Sequence, residues 1–219
     1  MLALSYFFFE SLALLIVIIQ YKRLKETIYK YFLPYLILIV IYEYGNIYNW
    51  FFINHSNLWI TNLSETACFL FYTFFLKNLI RSKKLHKIIY VLILCSLLFS
   101  ALNMAFLQGF LKLDTITMLF QYSIIIFIVC MYFYELMNSI DISVSLIALP
   151  GFWLNTGLLF YYLCQFLLFS SFAYMAYKNS YNYLMLFNVV ANIANVILYS
   201  CLTICFLCFR RTNKLLQSL

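Results

Sequence analysis

Residues 88–110 read IIYVLILCSLLFSALNMAFLQGF, a run without a single charge, and RSKKLHK stands directly before it at 81–87. A helix needs about 20 consecutive apolar residues to cross a bilayer. A surface helix of a soluble domain would instead show a polar face, and this run has none. The reading is a membrane-spanning helix with a basic cluster at one end.

Working outward, uncharged or nearly uncharged runs recur at 3–20, 28–50, 58–76, 116–137, 149–173 and 184–208. None alternates with period two between turn signals, as the strands of an outer-membrane barrel do. The expected fold is therefore all-α: a polytopic membrane bundle of about seven transmembrane helices, forming one domain over 1–219 with no separate soluble domain. Composition agrees, since 66% of the chain is hydrophobic and 10% charged, a balance that no soluble fold of this length could bury. The first Lys is Lys22, behind the first apolar run, which argues against a cleaved signal peptide.

The net charge of +7 would suggest nucleic acid in a soluble protein. Here the basic residues sort by loop, and cytoplasmic loops retain Lys and Arg. Lys22, Arg23, Lys25 and Lys30 follow the first run; Lys77, Arg81, Lys83, Lys84 and Lys87 follow the third; Arg210, Arg211 and Lys214 follow the seventh. Only Lys112 and Lys178 fall on the other side. This places the N-terminus outside and the C-terminus in the cytoplasm, with no nucleic-acid partner. The basic rim should attract anionic lipid head groups of the bilayer. The segment 135–141 is assigned to the cytoplasm yet carries no Lys or Arg.

Residues 142–177 are uncharged and too long for one ordinary span, too short for two. Because Pro is tolerated in a helix's first turn, Pro150 suggests an interfacial segment at 142–149 leading into one span. Pro34 and Pro150 each precede an amide by fifteen residues, Asn49 and Gln165, a faint repeat that would fit a 3+1+3 plan.

Ionisable groups inside a span cost about 2.5–3.5 kcal/mol on insertion scales, so each one is a candidate for function. Glu10, Glu43 and Glu65 fall in the first three spans. Thr61, Glu65, Cys68 and Tyr72 share one helical stripe, opposite an apolar one of Leu63, Ala67, Leu70 and Phe74. Glu65 should thus face protein, beside the second or seventh span. Asn188, Asn192, Asn195 and Tyr199 form another stripe, expected to point into the bundle, with Cys201, Cys205 and Cys208 turned to lipid or a neighbour. Tyr31, Tyr35, Tyr42, Asn46 and Asn49 line the second span, and Asn103, Gln121 and Gln165 add amides from the next three. Assembled, these describe a ligand-binding cavity open to the outside. The same amides also serve as glue between membrane helices.

His55 and His86 are the only histidines, so a multi-His zinc site cannot be built and no metal or cofactor is expected. His55 with Glu43 and Glu65 would be the acid/base groups of an intramembrane lipid-modifying enzyme. GxSxG and HExxH are absent from the sequence.

Asn54, His55, Ser56, Asn57, Leu58 and Trp59, followed by Glu65, together with FWLNTGLL at 152–159 and the amide-rich last span, carry a resemblance. The chain resembles small uncharacterised seven-helix bacterial membrane proteins that look like stand-alone versions of the membrane sensor region of histidine kinases. The resemblance implies a bacterial cytoplasmic (inner) membrane location and a signalling role, with no catalytic residues to carry over. The expected function is a non-enzymatic receptor-like or sensor-like module: a small-molecule ligand enters the outer cavity and a cytoplasmic or membrane protein partner reads the change. A small transporter or channel, and the lipid-modifying enzyme, are the alternatives.

Overall fold

The structure, a computed structural model, describes residues 5–53, 56–109, 111–139, 145–177 and 181–216. Among these residues seven α-helices follow in order: α1 (Ser5–Leu24), α2 (Phe32–Ile47), α3 (Leu58–Leu79), α4 (Lys83–Leu102), α5 (Thr115–Ser139), α6 (Pro150–Tyr177) and α7 (Tyr181–Leu216). The described residues contain no strand, only a single bridge between Ile53 and Ser56 in the α2–α3 loop. Single 3-10 turns precede α2 (Ile28–Tyr31) and α6 (Leu146–Ala148). A wider turn, Asn103–Leu107, prolongs α4, with the Gln108 N–H reaching back five residues to the Asn103 carbonyl at 2.9 Å. Residues 150–177 form one helix beginning at its proline, as a first-turn proline favours; residues 142–144 lie outside the described residues.

Among the described residues, four helical segments are long and apolar enough to cross a membrane: Lys83–Leu107, Thr115–Asn138, Pro150–Phe172 and Met185–Phe209. The first three helices, outside this set, carry the carboxylates Glu10, Glu43 and Glu65. With 16 residues, α2 is also short, about 24 Å at 1.5 Å per residue, against a hydrocarbon core of about 30 Å. Large apolar side chains remain exposed on every helix, among them Phe8, Leu38, Leu63, Leu98, Phe127, Leu167 and Leu186, as a lipid-facing surface requires.

The helices pack as a horseshoe. α7 lies between α1 and α6, α5 flanks α6, α3 leans on α5, α2 leans on α1, and α4 covers the outside of α3 and α5. The open side lies between α2 and α3, whose backbones scarcely approach each other. Bulk is the reason: Tyr35 stacks on Phe71 with ring centres 3.9 Å apart, and Phe32 meets Phe71 and Phe75 at 5.1 and 4.8 Å. Close helix crossings need small residues, and α6 has one where it matters, for a Cβ on Gly157 would sit 2.7 Å from the Cys201 Cβ of α7.

That contact decides between lipid and a neighbour for the cysteines of the last helix. Cys201, Cys205 and Cys208 are buried among helices rather than turned to lipid, Cys205 completely. The halves of the suggested 3+1+3 repeat also pack differently: α6 lies tightly against both neighbours while α2 does not, and Asn49 falls beyond the end of α2 in a left-handed turn (φ 57°).

Candidate ligand chamber

Inside the horseshoe lies a chamber of about 220 Å³, walled by α2, α3, α6 and α7. α2 contributes Tyr35, Tyr42 and Glu43; α3 contributes Ser64, Glu65, Cys68 and Tyr72. Both sets follow from helical spacing, since residues three, four and seven apart share a face. The opposite stripe of α3, with Leu63 and Phe74 at least half exposed, looks outward. From the far wall come Tyr161, Tyr162, Gln165, Asn195 and Tyr199.

The two carboxylates are each held by a phenol. Tyr122 of α5 donates to Glu65 Oε2 at 3.0 Å, and Tyr6 of α1 donates to Glu43 Oε2 at 3.0 Å. Glu65 thus takes its hydrogen-bond partner from α5 while it shares the chamber with side chains of α2 and α7, the helices it was expected to lie beside. Among the described residues, no Lys, Arg or His lines the chamber. Gln165 is 5% exposed, lines the chamber, and makes no hydrogen bond to any described residue. The hydroxyls of Tyr162 and Tyr199 are likewise without a partner among the described residues. These three side chains line the open volume, where a hydrogen-bonding ligand can meet their polar atoms.

Toward the basic end, aromatic rings close the chamber floor. Phe32 meets Phe75 and Phe206 at 4.8 and 5.3 Å, and Tyr29 meets Phe209 at 4.8 Å. Below this plug, a separate hollow of about 650 Å³ is bounded by Lys22, Arg23, Glu26 and Pro150.

Of the residues expected to form one cavity, Glu43, Glu65, Tyr72, Gln165 and Asn195 line the chamber. Glu10 is fully buried behind it as an electrostatic neighbour of Glu43, and neither of its oxygens has a hydrogen-bond partner among the described residues. The others go elsewhere. Asn46 accepts from Asn57 Nδ2 at 3.2 Å and ties α2 to the start of α3, while Asn49 is exposed in the turn. Asn188 is exposed, and Asn192 and Asn195 donate to carbonyls one turn back on α7. Gln121 is buried without lining the chamber, its Nε2 unpartnered among the described residues. His55 lies outside the described residues.

Asn103 belongs to a second polar cluster at the α4–α5 loop. Its Nδ2 faces Asp114 Oδ1, Thr117 Oγ1 at 3.1 Å and Gln108 Oε1 at 2.8 Å. Asn62 of α3 clamps the same loop, accepting from the Asp114 N–H at 3.0 Å and donating to the Lys112 carbonyl at 2.8 Å. Asn62, Asn103 and Asp114 are all at least 98% buried.

The residues missed from sequence are phenols: Tyr6 and Tyr122, which hold the carboxylates, and Tyr161 and Tyr162, which line the wall. A signal existed in the 20 tyrosines of the chain, but a phenol counts as apolar in a hydropathy run and shows its polar tip only in place. Searches of family models, of curated proteins and of solved structures find no match to this chain.

Proposed function

We propose that the protein is a receptor-like module of the cytoplasmic membrane, non-enzymatic, with seven membrane-crossing helices, its N-terminus outside and its C-terminus inside. A small hydrogen-bonding ligand occupies the chamber, and occupancy changes how the α2 side of the horseshoe sits against α3. A partner at the basic end reads that shift. Such a switch requires a ligand that binds two arrangements of the bundle with different affinity. The observation that carries the reading is that Gln165, Tyr162 and Tyr199, without a hydrogen-bond partner among the described residues, line one chamber together with Glu43 and Glu65. The aromatic plug of Phe32, Phe75 and Phe206 favours binding over conduction, because it closes the chamber floor.

The test is thermal unfolding of the protein in zwitterionic nanodiscs with a panel of small amines, polyols and amino acids. A ligand of the folded state raises the midpoint saturably, by about 2.7 kcal/mol at one hundred times its dissociation constant. At least one compound should do so in the wild type and not in the Glu43→Gln/Glu65→Gln double variant. A panel that shifts neither protein, or both alike, removes the receptor reading. Accumulation of the bound compound inside proteoliposomes would replace it with transport.

A further inference from the structure

The chamber has a neighbour on the open side of the horseshoe. Between α2 and α3 runs a groove of about 490 Å³ walled by Leu38, Ile60, Leu63, Ala67 and Phe71. Tyr35, Ile39, Tyr42, Ser64 and Cys68 line both volumes. The partition between them is thus made of side chains and no backbone crosses it. Two tyrosines span it: Tyr35, stacked on Phe71 with its hydroxyl on Cys68 Sγ at 3.5 Å, and Tyr42, whose hydroxyl donates to Thr61 Oγ1 at 3.2 Å. On the outer side, Leu38 and Leu63 are 64% and 56% exposed, so the groove opens onto the apolar flank of the bundle.

The two volumes differ in chemistry. The groove is walled by aliphatic and aromatic carbon; the chamber holds Glu43 and Glu65, phenols on every wall, and, among the described residues, no cationic side chain. Carboxylates joined to aromatic faces are the complement of an organic ammonium, which is drawn to ring faces as well as to negative charge. At about 220 Å³ the chamber is smaller than the ~300–1,000 Å³ of ordinary small-molecule sites. It has room for a head group, and the groove has room for a tail.

Resting on the receptor reading above, we propose that the ligand is a single-chain cationic amphiphile, its ammonium head between Glu43 and Glu65 and its hydrocarbon tail in the α2–α3 groove, entering sideways from the bilayer past Tyr35 and Tyr42. Entry through the side uses the bilayer as a reservoir: the tail leaves one apolar medium for another at little cost, while the head gains carboxylates, phenol rings and the amide oxygen of Gln165. The Tyr42–Thr61 hydrogen bond holds the partition closed without the ligand.

The experiment compares dodecyltrimethylammonium, tetramethylammonium and dodecanol by thermal unfolding in zwitterionic nanodiscs. Three proteins are used: wild type, Glu43→Gln/Glu65→Gln, and Ala67→Trp, which fills the groove from an exposed position. The wild type should be stabilised by the amphiphile at a concentration at least tenfold below that needed for tetramethylammonium, and not by dodecanol. Ala67→Trp should lose that tenfold advantage and keep its response to tetramethylammonium; an equal unliganded midpoint shows that it folds, and Leu63→Trp serves the same purpose if it does not. The double variant should lose both cation responses. If the amphiphile keeps its advantage in both groove variants, its enrichment is plain partitioning and the lateral route is overturned while the receptor reading stands. Equal stabilisation by dodecanol and the amphiphile would leave a tail site only and overturn the ammonium. No response to either cation, with another panel compound still bound, overturns the inference alone.

Discussion

Glu65 and Gly157 show how single positions carry different burdens. Glu65 Oε2 accepts from the Tyr122 hydroxyl, and Tyr122 is 2% exposed. In Glu65→Gln the amide oxygen can accept that same bond, so the unfolding midpoint should stay close to wild type. Glu65→Leu strands the phenol and should cost about 1–3 kcal/mol; equal midpoints for the two variants would show that the pair contributes nothing. Gly157 acts through space. A methyl there meets the Cys201 Cβ at 2.7 Å and the Leu198 carbonyl at 3.4 Å, neither of which can swing away. At Gly45 the obstacle is the Phe51 ring, the end of a side chain at the bundle rim. Gly157→Ala should therefore lose about 1–3 kcal/mol through overpacking and Gly45→Ala less, as read by unfolding in nanodiscs; the reverse order would mean that the α6–α7 crossing is looser than it looks.

Between elements, the α4–α5 loop is held by side chains rather than by a tight turn. Asn62 from α3 and Asn103 from the end of α4 both bond Asp114, one through its N–H and the other through its carboxylate. Two groups sharing a buried partner are coupled, and their deletions are not additive. Asn62→Ala and Asn103→Ala should each destabilise by about 1–3 kcal/mol, and the double variant by less than the sum, with a coupling of about 0.5–3 kcal/mol. Additive losses would show two independent anchors. At the basic end, Glu135 accepts from the Arg81 and Ser82 N–H groups at 2.8 and 3.1 Å, placing a carboxylate at the N-terminus of α4, where the helix dipole favours negative charge. Lys77 is spent locally too: its ammonium lies 2.5 Å from the Tyr90 hydroxyl.

For the molecule as a whole, the distribution of basic residues predicts the orientation, and labelling tests it. On a cysteine-free background, Ser56→Cys should react with a membrane-impermeant maleimide from outside and Ser218→Cys only after the membrane is opened. The opposite pattern would invert the topology, and with it the side on which the chamber meets solvent. The seven cysteines to be replaced include the fully buried Cys205, for which alanine is the substitute closest in size that adds no polar group.

Helix number, the single helix starting at Pro150 and the inward face of α3 were legible in the sequence, because each depends on composition and on a period of 3.6 residues along one chain segment. The Glu43 and Glu65 side chains of the chamber were legible for the same reason: charge is scarce in these runs and stands out. What the tertiary structure alone decided is which helices touch. The horseshoe, the gap between α2 and α3, the burial of Cys201 and Cys205 and the withdrawal of Asn103 into a separate cluster all depend on residues far apart in the chain. So do the phenol donors Tyr6 and Tyr122, 37 and 57 residues from the carboxylates they hold. Periodicity assigns a face to a helix and leaves its neighbour open; between apolar helices in lipid, shape makes that choice, with Gly157 admitting a partner closely and the rings of Phe32, Tyr35 and Phe71 holding one away.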